Sequence, residues 1–401
     1  MKILMGVPEY PPHHIGGGGE VFKKLAQRYR ELGHEVVVFY GYYRTKSIWE
    51  DLKRREDENG IRFYEIPEIP YPKSMPFLKT VMPPTPRARF KLPRAIEKEA
   101  PDVAHLHGYG LPTVNLMAYT LHRLGIRYLF TIHGYPRTPY EKNLFAKYSY
   151  VVYDRVFTDR TLAHAYMITG VSDFVAKDER LGSYRDKTLT ILNGIDQEDY
   201  GEERGNQELD IYEELGLKKG SDITIFSMGR LAENKGFQKI IDKMGIFESN
   251  GLSVHYIIAG SDYGYLARLR EMAKIKDCED NVHFIGWRDK EDIISILHQC
   301  DMFAIPSLWD ICPIAAFEGM ACNKFIISSE GGGIEEVLRG YPHKIRLFDD
   351  DFDDKIVDII KEKKYIVAEP VDLREISWRN VAEKYLRLMQ GGQRQPPLPS
   401  S

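Results

Sequence analysis

Ser307-Leu-Trp-Asp-Ile-Cys-Pro-Ile-Ala-Ala-Phe-Glu-Gly-Met-Ala-Cys-Asn323 sets two carboxylates, Asp310 and Glu318, eight residues apart. Pro313 suits the first turn of a helix, because its missing N–H would have no partner there anyway. A helix beginning at that proline leaves Asp310 in the preceding loop and carries Glu318 inside. The N–H groups of Ile314 and Ala315 then stay free to point at a ligand, and such a helix end attracts phosphate. Amides for a phosphate and carboxylates for sugar hydroxyls, in one short segment, suit a nucleotide-sugar site. Asn323 closes the segment, and Asn tolerates the left-handed conformation of a helix stop.

Upstream, short apolar runs alternate with longer amphipathic segments, the signature of βα units and a parallel sheet. The first half reads as strands over 2–7, 35–40, 103–106, 128–132 and 167–171, with a helix over 20–32 stopped by Gly33. A polar stretch, 202–220, follows. A second series then reads as strands over 224–227, 253–259, 282–285, 302–305 and 325–328. The expectation is two Rossmann-like doubly wound domains, residues 1–205 and 206–375, with a last helix in 376–390. Residues 391–401, rich in Gly, Pro, Gln and Ser, have little to bury and read as a disordered tail.

Charged groups cluster where strands end. Arg230 and Lys235 follow the strand at 224–227, at the carboxyl end where open α/β sheets bind ligands. A guanidinium grips two phosphate oxygens and an ammonium adds a point charge. Gly16-Gly-Gly-Gly19 follows the first strand and opens a helix, which lets the backbone approach an anion. It is not a dinucleotide fingerprint. Val21 or Phe22 stands where the third glycine belongs, and Tyr40-Gly-Tyr-Tyr43 supplies no acid after the second strand. A P-loop fails for want of Gly-Lys-Ser/Thr.

These segments, with Glu9–Glu20, Gly33-His-Glu-Val36, Thr131-Ile-His-Gly134, Leu192-Asn-Gly-Ile-Asp196, Gly229–Gly236, Gly260-Ser261 and Gly331–Glu336, stand in the order of the GT-B glycosyltransferases. The chain resembles the retaining enzymes of family 4 along nearly its whole length. The resemblance implies two domains facing a central cleft, with the last helix crossing back to the first. It implies a nucleoside-diphosphate sugar as donor, bound by Gly17, Gly18, Arg230, Lys235, Ile314, Ala315 and Glu318. Glu318 would take the ribose and Asp310 the donor sugar. Trp287 and Arg288 would lie near the nucleobase. His133 would lie at the reaction centre, with Arg230, Lys235 and Asp310 as its catalytic partners. Asp310 departs from the family's usual Glu, which leaves its carboxylate roughly 1.5 Å shorter in reach. A nucleotide-sugar epimerase and a non-catalytic sugar-binding protein on the same fold are the alternatives.

Composition narrows the rest. The chain has 401 residues, 12% aromatic and 28% charged, an ordinary globular balance. Cys278, Cys300, Cys312 and Cys322 form no CxxC pair, so neither a disulfide framework nor a metal cage is expected. No Asp-x-Asp stands at a strand end, the run Asp349–Asp354 reads as a solvated loop, and no cofactor or metal is expected. No apolar run approaches the roughly 20 residues that span a bilayer, and a cytoplasmic setting is expected. The net charge of −4 divides as +5 over residues 1–200 and −9 beyond, with no nucleic-acid partner indicated. The basic excess gathers in 69–94, where Lys73, Lys79, Arg87, Arg89, Lys91 and Arg94 alternate with aromatics and prolines. That segment reads either as a solvated loop or as a contact for a membrane or a lipid-linked or phosphorylated glycan acceptor. His105 and His107, ending the strand at 103–106, are assigned packing or acceptor-side roles.

Overall fold

The computed structural model describes residues 1–11, 18–42, 47–57, 60–69, 83–135 and 151–391. They form two compact units, Met1–Asn193 with Trp378 onward, and Gly194–Ser377. Residues 194–205, expected in the first domain, belong to the second. Ile195 donates to the carbonyl of Ile376 at 2.9 Å, and His298 Nε2 meets the carbonyl of Tyr200 at 2.8 Å.

The first unit is built on eight strands: β1 (Lys2–Val7), β2 (Glu35–Tyr42), β3 (Lys53–Glu56), β4 (Arg62–Pro67), β5 (Val103–His107), β6 (Tyr128–Ile132), β7 (Met167–Gly170) and β8 (Thr188–Thr190). Their order is β3-β4-β2-β1-β5-β6-β7-β8, parallel except for the β3–β4 pair. Ile3, Leu4 and Met5 of β1 and Val36–Tyr40 of β2 are fully buried, as strands covered on both faces must be. Helix α1 (Gly18–Glu31) packs on the C-terminal helix Trp378–Gln390. Tyr166 Oη donates to the carbonyl of Leu388 at 2.9 Å, and the Tyr385 ring lies 4.6 Å from that of His105.

Helices α2 (Pro86–Glu99), α3 (Pro112–Arg123) and α4 (Asp159–His164) form a second layer, α3 packing on both neighbours. The expected loop at 69–94 is thus corrected over 86–94. Thr85 caps α2 by accepting the N–H of Ala88, and Leu92 and Ile96 face the core. Of the residues in that expectation, 70–82 lie outside the described ones.

The second unit is a six-stranded parallel sheet: β9 (Ile223–Met228), β10 (Val254–Ala259), β11 (Val282–Gly286), β12 (Met302–Ile305), β13 (Phe325–Ser328) and β14 (Lys344–Arg346). The order is β11-β10-β9-β12-β13-β14. Helices α5 (Phe237–Ile241), α6 (Leu266–Ile275), α7 (Lys290–Gln299), α8 (Ile314–Ala321) and α9 (Phe352–Lys361) belong to this unit. The expected acidic loop at 349–354 instead leads into α9. Phe352 is buried there, and Asp353 bonds Lys243 at 2.5 Å. In each sheet the strand order reverses direction once, between β1 and β5 and between β9 and β12. Open α/β sheets bind ligands at that switch point, beyond the carboxyl ends of the strands.

Candidate functional site

In the second unit the loops after the strands are sewn together at their carboxyl ends. Leu231 N–H donates to Ser261 O at 2.9 Å, joining the loops after β9 and β10. Gly260 N–H donates to Gly286 O at 2.7 Å, joining β10 to the end of β11. Leu308 N–H reaches Asn234 O at 2.9 Å, and Gly333 N–H reaches Asp310 O at 2.7 Å. The approaches need glycine. At Gly236 (φ +71°) a Cβ would fall 1.8 Å from the carbonyl oxygen of Pro306, and at Gly332 (φ +77°) it would fall 2.1 Å from that of Asp310.

This scaffold sets Lys235 and Asp310 face to face. Lys235 Nζ donates to Asp310 Oδ2 at 2.6 Å, both side chains 21% exposed. Asp310 Oδ1 accepts the N–H of Ile311 at 2.8 Å. Both carboxylate oxygens are therefore engaged, Oδ1 within its own loop and Oδ2 by the loop after β9, which positions the ammonium. Arg230 is exposed and lies over the ring of Tyr263 at 5.3 Å. Such a stack orients a guanidinium without consuming its donors.

Helix α8 starts where the proline requires, with Pro313 as its N-cap and no side chain bonding its first turn. Among the described residues the N–H groups of Ile314 and Ala315 have no partner, and Ala316 is the first to bond back, to Pro313 O at 3.1 Å. One turn in, Glu318 Oε1 accepts the hydroxyl of Tyr200 at 2.9 Å. Burial holds the Glu318 carboxyl above its ordinary range, and the Tyr200 bond and the Lys290 charge pull it partly back. Lys290 Nζ stands 4.7 Å over the Tyr200 ring. Asn323 ends the helix region at φ +52°.

Trp287 is 72% exposed just past β11, so it is no part of the core. Arg288 is held in ion pairs, to Glu214 and, at 3.7 Å, to Asp292. The pair with Asp292 ties it to the first turn of α7. A separate hollow of about 540 Å³ lies along the edge strand β11, between Arg270, Lys274 and Phe284, and no expected site residue lines it.

In the first unit β5, one of the two strands at the switch, ends in His107, and His133 follows the adjacent β6. His107 Nδ1 and His133 Nε2 are 3.0 Å apart, and His105 joins Tyr29 Oη at 2.9 Å and Thr131 Oγ1 at 2.7 Å. His105 and His107 are fully buried, and the edge of Phe22 closes on His133. Burial lowers all three, His133 to about 4, so each is neutral near pH 7. His107 Nε2 is buried without a partner. We assign His107 as the donor in the pair, since an orphan lone pair costs less than an orphan N–H. His133 then carries its proton on Nδ1. Gly18 opens α1; Gly17 lies outside the described residues.

Tyr200, Tyr263 and the pairing of His107 with His133 escape the sequence reading. No local pattern marks them, because their partners come from other loops.

The family profile described as Glycosyltransferase Family 4 matches residues 15–199, and Glycosyl transferases group 1 matches residues 211–365. The chain belongs to this family and is a glycosyltransferase of the hexosyltransferase kind. An uncharacterized glycosyltransferase of Methanocaldococcus jannaschii is 26% identical over 96% of both chains. Glycogen synthase 2 of Geobacter metallireducens is 23% identical over 84% of this chain and 85% of its own. The GPI3 subunit of phosphatidylinositol N-acetylglucosaminyltransferase from Saccharomyces cerevisiae is 25% identical over 82% of this chain and 68% of its own. Among solved structures, Anabaena HepE in complex with UDP superposes with a TM-score of 0.69 at 16% identity, covering 97% and 99% of the two chains. That likeness establishes the GT-B fold.

Proposed function

We propose that the protein transfers a hexose, with retention at the anomeric carbon, from a nucleoside-diphosphate sugar to a lipid-linked or phosphorylated glycan. The observation that carries the donor reading is the β9–β12 switch, beyond which the loops that hold Arg230, Lys235 and Asp310 are sewn together and run into the two free amides that open α8. Lys235 and Arg230 would neutralise the diphosphate as charge grows on it, and the amides of Ile314 and Ala315 would hold its oxygens. Glu318, kept in place by Tyr200, would accept the ribose hydroxyls. HepE, which shares the fold, binds UDP. No metal enters this scheme, because protein cations and amides supply the positive potential.

The bond from the anomeric carbon to the phosphate oxygen breaks as the bond to the acceptor hydroxyl forms on the same face. The acceptor proton passes to the departing phosphate oxygen. Asp310 holds Lys235 until the diphosphate takes up part of its charge. The test is a thermal-shift screen with UDP, GDP and ADP and their sugars, followed by turnover of Lys235→Ala and Glu318→Ala with and without acceptor. One nucleotide should stabilise the protein, since a ligand bound only to the folded state raises its melting temperature. Both variants should melt near the parent yet lose about a hundredfold in turnover. Wild-type rates in both reject the assignment. Donor turnover independent of acceptor points to epimerisation or hydrolysis.

A further inference from the structure

The helical segment 151–164 is partly inverted. Tyr153, Asp154, Thr158 and Thr161 turn inward beside the buried Leu162, while Val151, Val152, Val156 and Phe157 face water. Tyr153 Oη accepts Asn115 Nδ2 at 2.8 Å, Asp154 accepts the Tyr109 hydroxyl at 2.9 Å, and Thr161 Oγ1 donates to Asn115 Oδ1 at 3.0 Å. Outside, Val151 is 52% exposed, Val152 62% and Phe157 51%. A surface helix of a globular protein turns the other way. The inversion has a local cause, a π turn over Asp154–Thr158 in which Asp159 N–H bonds back to Asp154 O. Such a turn accommodates an extra residue. Here Asp154 and Thr158 both reach the interior while Arg155, Val156 and Phe157 swing out.

The neighbouring helices bury an ordinary apolar stripe, Leu92 and Ile96 on α2 and Met117 and Leu121 on α3, yet they too expose large rings. α3 exposes Tyr119 at 58%, with Arg123 5.9 Å over its ring, and α2 exposes Phe90 at 78%. The same outer faces carry exposed cations, Arg87, Arg89, Lys91 and Arg94 on α2, and Arg123, Arg155 and Arg160 beyond. Acids there are few. Glu97 is exposed on α2, Asp159 accepts the Tyr184 hydroxyl at 2.6 Å, and Asp51 is paired with Lys91. Exposed valines and aromatics ringed by arginines match an acyl–headgroup boundary, where apolar side chains enter and cations meet anionic headgroups. We infer that the outer layer of α2, α3 and α4 with the π turn docks the first unit on an anionic lipid bilayer. A protein partner would satisfy the apolar face, but the excess of arginine along three helices favours a surface of diffuse negative charge.

The inference is independent of the donor crevice, which lies in the other unit, and its test does not use turnover. The full chain is co-sedimented with vesicles of phosphatidylcholine alone and with vesicles containing phosphatidylglycerol. Binding should favour the anionic vesicles and weaken steeply in high salt. Arg155→Gln and Arg160→Gln should each weaken it by about fivefold. Val152→Ser with Phe157→Ser should weaken it at least as much while the melting temperature holds. Equal pelleting with both vesicle types, no pelleting with either, or variants that bind like the parent would each overturn the proposal. So would a change from dimer to monomer in the serine variant, which would make the face a protein interface.

Discussion

The two sheets end at their switch points in opposite chemistries. The first unit closes beside its switch with three hydrogen-bonded, neutral histidines, His105 and His107 buried and His133 half-buried. The second closes with formal charges, Lys235 against Asp310 and an open Arg230, on loops that stay partly exposed. A parallel sheet offers the same place in both cases, beyond the carboxyl ends of adjacent strands. What differs is solvation. A neutral imidazole can be buried at the cost of its proton affinity, whereas an ammonium survives half-buried only beside a partner. The first site can offer an uncharged N–H, and the second can offer full charge to a diphosphate.

The largest expected effect tests the neutral half. His133 sits near 4 in the folded chain, below its ordinary 6.5, and His105 and His107 lie well below that value. Between those values the unfolded chain binds more protons, so stability is full above 6.5 and is lost as pH falls toward 4. His133 alone accounts for about 3 kcal/mol across that window. Urea unfolding of the first unit at pH 7, 5.5 and 4.5 should show that loss, and His133→Asn should lessen it by that residue's share while His105 and His107 keep the rest. A pH-independent transition would mean that the cluster is already protonated or hydrated, and the contrast between the units would fail.

Next comes the charged half. If Asp310 holds the ammonium in place, Asp310→Asn should cut turnover by about a hundredfold, the cost of a misplaced group near the reacting atoms. Nucleoside-diphosphate affinity should hold or rise, because a carboxylate near the phosphates has been removed. Unchanged turnover would make the Lys235–Asp310 pair a resting contact only.

How much of this was legible depended on how local the cause was. β1, β6, β12 and β13 have the predicted bounds, because burial on both faces writes a continuous apolar run. β3 (Lys-Arg-Arg-Glu) and the three-residue edges β8 and β14 were missed, since an edge strand needs no such run. α2 reads as a loop because it carries Pro93 and its apolar stripe is narrow, Ala88, Leu92 and Ile96 among many charges, and its stability comes from packing on α3. Within the site, Arg230, Lys235 and Glu318 were visible through their place after a strand or inside a capped helix. Tyr200 was not, because its partner lies 118 residues away. Asp310 was read as reaching for sugar, and its pairing with Lys235 is set by a turn that Gly332 permits.

The smallest effect concerns Glu318, where the two chemistries meet in one residue. It is an acid desolvated like the histidines yet assigned to bind like the charged crevice. A carboxyl raised by burial stabilises the fold when protonated, below its ordinary 4.5, and that contribution is lost as pH rises through the folded value. At pH 7 Glu318 is therefore a cost that the Tyr200 hydroxyl only partly offsets. Glu318→Gln keeps the shape, can still accept from Tyr200 and removes the charge. It should raise the melting temperature by about 2–4 °C at pH 7, the shift that about 1 kcal/mol produces in a chain of this size. The gain should vanish near pH 4, where the parent is neutral too, and nucleotide-sugar affinity should fall at every pH. A variant that melts lower at pH 7 would show that the carboxylate is held by the fold for stability, and ribose recognition would have to rest elsewhere.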